Sequence, residues 1–138
     1  MPGKVDLSIG FVLACGLTLA VFAATEGAAA KGLNLLYAFE GGSDGAYPWA
    51  GLIRDDAGNL FGTTEGGGNS GCLYPSCGTV FELAPDDTET VLYRFQGQPD
   101  GGNPYSGLLA DKAGNLYGTT EIGGTGSSCG TGGCGTVV

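Results

Sequence analysis

Gly58-Asn59-Leu60-Phe61-Gly62-Thr63-Thr64-Glu65 returns in the same chain as Gly114-Asn115-Leu116-Tyr117-Gly118-Thr119-Thr120-Glu121, an offset of 56 residues (58 to 114). Working outward, the same offset carries Leu36-Tyr37-x-Phe39 onto Leu92-Tyr93-x-Phe95. It also carries Asp44 onto Asp100, Pro48 onto Pro104, and Gly51-Leu52-Ile53-x-Asp55 onto Gly107-Leu108-Leu109-x-Asp111. After the motif the offset slips to 57 (72 to 129), placing Cys72, Cys77 and Gly78-Thr79-Val80 on Cys129, Cys134 and Gly135-Thr136-Val137. Correspondence this dense across a whole unit defines a tandem repeat.

Composition narrows the class. Twenty-nine glycines and 14% charged residues in 138 describe many short turns rather than a helical core. The formal net charge is −9, with five Lys and Arg in total. That argues against nucleic acid as a partner, because neutralising phosphates needs clustered cations. The chain has no His, which removes the commonest general base and the imidazole metal ligand. Any catalysis would rest on carboxylates, Tyr, Ser or Thr.

Residues 1–30 read as a signal peptide or N-terminal anchor. Leu7 to Ala24 is 18 residues without a charge; as a helix it would reach about 27 Å, marginal for a hydrocarbon core of about 30 Å. Ala28-Ala29-Ala30 and Val21-Phe22-Ala23 offer small-residue cleavage sites. Export by a cleaved signal is the first reading and an uncleaved anchor the second, the anchor being the one membrane contact expected. Lipidation at Cys15 is the least favoured, since the apolar stretch continues well past it.

From Gly32 onward short apolar runs alternate with Gly, Asp, Asn and Pro, the signature of strands and turns. Strands are expected at Leu33–Phe39, Trp49–Asp55 (buried on both faces), Leu60–Glu65, Thr79–Ala84 and Thr88–Phe95. Asp55-Asp56-Ala57-Gly58-Asn59 and Asp111-Lys112-Ala113-Gly114-Asn115 have the chemistry of tight hairpins. Asp accepts a backbone hydrogen bond there, and Gly supplies the positive φ.

The expected fold is therefore all-β: a β-propeller-like tandem repeat of four-stranded antiparallel blades, about 56 residues each, forming an incomplete ring. A parallel β-helix is the rival, but it lacks these hairpins. Within 31–138, residues 32–39 are expected to be a leading outer strand, 40–95 the first repeat and 96–138 a second, truncated one. The second unit stops part-way into the strand that the first completes, so a fragment of a longer propeller is expected. Alone, it should self-associate through exposed strand edges.

The pattern Leu-Tyr-x-Phe, Asp-Gly, Pro-x-x-Gly-Leu-Ile, Asp-x-x-Gly-Asn-Leu-Tyr-Gly-Thr-Thr, Gly-Thr-Val-Phe-x-Leu resembles the GloVer tandem repeat of exported bacterial proteins that carry varied surface anchors. It covers Leu35 to Val138. The departures are Phe61 in place of Tyr, Gln98-Pro99 in the second glycine loop and Val138 in place of Phe. The resemblance implies a secreted or cell-surface repeat protein and supplies no active site.

Cys72 with Cys77, and Cys129 with Cys134, are candidate local disulfides. Zinc held by both pairs and free or intermolecular thiols are the alternatives. Asp44 and Asp100, with Trp49 and Tyr105, are a candidate ligand rim, suited to calcium or a sugar; turn formation is the competing role for the two Asp. Glu65 and Glu121 have the chemistry glycoside hydrolysis uses, yet a repeat gives them like surroundings where catalysis needs unlike ones. The expected function is an exported or cell-surface structural or binding module without catalysis and without an obligatory cofactor. The alternative is a fragment of a carboxylate-dependent propeller enzyme acting on glycans.

Overall fold

A computed structural model describes residues 32–68 and 77–138. The signal or anchor segment, Cys15 and Cys72 lie outside the described residues. All regular structure among the described residues is β, in eight short strands.

The first unit is a four-stranded antiparallel sheet in sequential order: β1 (Ile53–Arg54), β2 (Leu60–Thr64), β3 (Thr79–Leu83) and β4 (Glu89–Arg94). β1 and β2 are joined by the expected hairpin. Gly58 N–H donates to Asp55 O at 3.2 Å, and Gly58 takes φ +96°, where a side chain would be strained. The Asp55 carboxylate fixes the far end of the turn, accepting from Asn59 N–H at 2.8 Å and from Asn59 Nδ2 at 2.8 Å. β3 turns into β4 at Pro85-Asp86-Asp87, with Ala84 N–H donating to Thr88 O. The β3–β4 register shifts after Val80, where Leu92 is the extra residue: Val80 pairs with Tyr93 and Phe81 with Val91.

The second unit repeats this pairing in part. β5 (Leu109–Ala110) pairs with β6 (Leu116–Tyr117), and β7 (Thr119–Thr120) pairs with β8 (Thr136–Val137), as two two-stranded sheets. The registers are the first unit's. Ile53↔Phe61 becomes Leu109↔Tyr117, and Thr64↔Thr79 becomes Thr120↔Thr136. The isolated bridge Ala46↔Gly66 likewise becomes Gly102↔Ile122. The sequence offset is thus an offset in hydrogen-bonding register.

Two expected strands are corrected. Leu33–Phe39 forms no ladder, because the place its counterpart β4 takes on β3 has no equivalent for it among the described residues. Trp49–Asp55 reduces to Ile53–Arg54, and its apolar residues are not buried: Trp49 is 69% and Leu52 49% exposed. No ring closes among the described residues.

The core lies where the two units meet. Cys77, Val80, Phe95 and Leu108 form the buried cluster, with Ile53, Phe61 and Leu116 packed against it. Among the described residues Phe95 is the largest side chain removed from solvent, at 1% exposure. The second threonine of each Gly-Thr-Thr motif is a buried polar hub. Thr64 Oγ1 donates to Gly66 O at 2.9 Å, accepts from Thr79 N–H at 3.1 Å and lies 2.7 Å from Thr79 Oγ1. Thr120 does the same with Ile122 O, Thr136 N–H and Thr136 Oγ1. Buried hydroxyls cost stability unless partnered, and here each reaches across the ladder to the strand that covers it.

Candidate functional site

Glu65 follows the threonine hub at the end of β2 and sits half-buried between the two units. Its carboxylate accepts from Trp49 Nε1 on Oε2 at 2.7 Å and from Tyr105 Oη on Oε1 at 2.6 Å. Trp49 belongs to the first unit and Tyr105 stands 56 positions later in the second, so one carboxylate joins equivalent aromatic positions of successive units. The Glu65 backbone joins as well. Its N–H donates to Tyr47 O at 3.1 Å, and its carbonyl accepts from Asn103 Nδ2 at 3.2 Å.

Further bonds hold this junction. Asn103 N–H donates to Cys77 O at 2.9 Å, and Thr63 Oγ1 donates to Ser106 O at 3.1 Å. Tyr47 and Asn103, again equivalent, both have left-handed backbone, with φ 59° and 53°. That conformation is uncommon for a side-chain-bearing residue, and it turns the chain so that the next residues but one, Trp49 and Tyr105, meet Glu65. Tyr47, Trp49 and Tyr105 remain largely exposed, presenting aromatic surface beside the carboxylate.

The electrostatics follow the geometry. The Tyr105 phenol is pushed up to about 12, first by its hydrogen bond to Glu65, then by burial and by the charges of Glu65 and Glu121. Ionising it would place a phenolate against a carboxylate. Proton transfer from Tyr105 near neutral pH is thereby disfavoured, and both Glu65 oxygens already accept a bond.

The expected ligand rim divides. Trp49 and Tyr105 come together on Glu65, whereas Asp44 and Asp100 serve their own loops. Asp44 accepts from Glu40 N–H at 2.7 Å, Gly42 N–H at 3.1 Å and Tyr37 Oη at 3.3 Å. Asp100 accepts from Gln96 N–H at 2.9 Å and Tyr93 Oη at 2.6 Å. Burial pushes the Asp44 carboxyl up, but the backbone N–H groups and the Tyr37 hydroxyl outweigh it and hold the group below its usual range. These are turn-forming carboxylates, each capping a Tyr seven residues earlier. Among the described residues no group of three or more His, Cys, Asp or Glu is arranged to hold a metal ion.

Cys129 and Cys134 are disulfide-bonded. Cys77 is disulfide-bonded and fully buried, while Cys72 lies outside the described residues. Sequence reading missed two junction residues. Asn103 stands where the first unit has Tyr47, so its role carries no repeat signal, and the sequence offers Glu65 only as a carboxylate of the kind glycoside hydrolysis uses.

No curated protein and no solved structure matches the chain. The family model described as the Gloeobacter/Verrucomicrobia repeat matches residues 20–137, which takes in both copies of the motif and the whole junction built on Glu65. The chain belongs to that repeat family.

Proposed function

We propose that this chain is an exported or cell-surface repeat module that works by binding rather than by catalysis, its contact face being the Trp49–Glu65–Tyr105 rim. The observation that carries the reading is the shared carboxylate: Glu65 holds an indole and a phenol from successive units, both mainly exposed. Aromatic faces beside a fixed hydrogen-bond acceptor suit a sugar ring, which stacks its C–H face and donates hydroxyls. The ligand class proposed is therefore a polysaccharide. Four strands in sequential antiparallel order make up the content of one propeller blade, which supports a propeller-like arrangement of successive units. With that arrangement, a rim site of this kind would recur at each junction.

Trp49 is the only Trp, so its fluorescence reports directly on the rim. Titration with soluble polysaccharides should shift Trp49 emission saturably, and Tyr105→Ala should weaken binding while leaving the sugar intact. Release of new reducing ends by the wild-type chain would replace this reading with the glycan-hydrolysing one. No shift and no retention on any polysaccharide tested would remove the rim as a sugar site.

A further inference from the structure

Among the described residues Glu65 is a carboxylate without a counter-ion. It is half-buried, and its two side-chain partners, the indole N–H of Trp49 at 2.7 Å and the phenol of Tyr105 at 2.6 Å, are both neutral donors. Neutral donors solvate a charge without cancelling it, and taking a charge part-way out of water is costly until an opposite one joins it. Each carboxylate oxygen has a second acceptor position beyond the bond it already receives. The group can therefore take donors from a ligand and keep both Trp49 and Tyr105.

The cations are placed elsewhere. The described residues include three, Arg54, Arg94 and Lys112. Arg54 pairs with Leu60 at the start of β2, the end opposite Glu65, and shares a cavity there with Lys112. Arg94 Nε donates to Ser43 O at 3.1 Å. None forms an ion pair with Glu65. A second carboxylate strengthens the negative field instead. Asn103 joins the two glutamates, its Nδ2 donating to Glu65 O and its carbonyl accepting from Glu121 N–H, each at 3.2 Å. The nearby Tyr105 phenol is raised first by its bond to Glu65 and by burial, then by two charges, both of them carboxylates: Glu65 and Glu121.

From this arrangement we infer that the rim selects a cationic sugar, an amino-sugar polymer with free ammonium groups, its ammonium against Glu65 and its ring on Trp49 or Tyr105. The inference rests on the polysaccharide reading and adds the charge that the sugar carries. An ammonium does what a hydroxyl cannot, because it brings the missing counter-ion together with its N–H donors. Indole and phenol faces attract it as well, through the negative face of the ring quadrupole. Trp49 is 69% and Tyr105 48% exposed, so ring surface is accessible at both. Uronic and sulfated sugars are disfavoured by the same carboxylates.

Trp49 fluorescence reads the test, with oligosaccharides of glucosamine and same-length oligosaccharides of N-acetylglucosamine as probes, at mildly acidic pH where the sugar amine is protonated. The free-amine probe should bind about tenfold tighter, and the excess should shrink with added salt. Raising the pH past the amine's own pKa should erase the difference in the wild type, since the ligand then loses its charge. Tyr105, pushed up to about 12, stays neutral over that range. Glu65→Gln can still accept from Trp49 and donate to Tyr105, and should bring the ratio of the two affinities close to one. An acetylated probe that binds as tightly as the free amine overturns the inference and leaves the neutral-sugar reading standing. So does a preference that survives at high pH or in Glu65→Gln. Oligolysine competing more strongly than the amino sugar overturns it in favour of a peptide ammonium. If neither sugar shifts Trp49, the rim reading fails and this inference with it.

Discussion

Tyr105 Oη lies 2.6 Å from Glu65 Oε1, so a phenol of the second unit is bonded to a carboxylate of the first across 40 residues. The folded state holds this phenol protonated, raising it from 10.0 to about 12. A group raised on folding stabilises below its unfolded value and loses that contribution as pH climbs through the folded one. Stability from Tyr105 is thus complete below pH 10 and lost toward 12. In an absorbance titration of phenolate, Tyr105→Phe should remove a phenol that ionises near 12, and the variant should melt below the wild type at neutral pH. Loss of an ordinary phenol near 10 would contradict the bond.

Asp111 gives the opposite limb. The side chain of Asn115 donates to Oδ2 at 2.7 Å, its backbone N–H to Oδ1 at 2.9 Å, and Tyr117 Oη to Oδ2 at 3.0 Å. These bonds, the Asn115 side chain foremost, hold the carboxyl at about 2, against an ordinary 3.8. The contribution is present above 3.8 and disappears as pH falls through 2. Asp111→Ala should lower the melting temperature at pH 7, and the difference from wild type should close across that acid window.

Phe95 is 1% exposed in the core shared by the units, so Phe95→Ala should cost about 3–5 kcal/mol by lost burial and the cavity left behind. Its repeat counterpart Phe39 is half-buried, meeting Phe81 edge-on with centroids 5.0 Å apart. Phe39→Ala should cost distinctly less. Chemical denaturation of both variants checks the ranking.

The Cys129–Cys134 bond closes a loop of five-residue separation. By the chain-entropy account it should contribute about 2 kcal/mol. Cys129→Ser with Cys134→Ser should lower stability by about that much, and alkylation of the unreduced wild type should leave both residues unmodified.

The repeat offset made much of the fold legible. It located the Asp-x-x-Gly-Asn turns, the Gly-Thr-Thr strands and the shared register, because turns and ladder pairs are local and periodic. It overstated Leu33–Phe39 and Trp49–Asp55. Both have strand composition, but a strand exists only where a neighbour offers an edge, and composition does not record that.

The site was less legible for a related reason. Repetition places Asp44 and Asp100 on equivalent loops, and spacing alone does not show that each accepts from backbone N–H of its own loop and from Tyr37 or Tyr93. Trp49 and Tyr105 were singled out individually. That both would bond one carboxylate depends on how one unit stacks on the next, which no residue spacing states.

Native-state hydrogen exchange tests the central claim, that the two units share one core through the Glu65 junction. Phe95 N–H and Asn103 N–H donate to Gly78 O and Cys77 O, so they report on the junction, while the amides of Gly62 and Phe81, register partners on β2 and β3, report on the first sheet. The account predicts that all four exchange together, at the slow rate of the core, and speed up together in Phe95→Ala. Rapid exchange at Asn103 with Gly62 and Phe81 still protected would show units that fold independently and would contradict it.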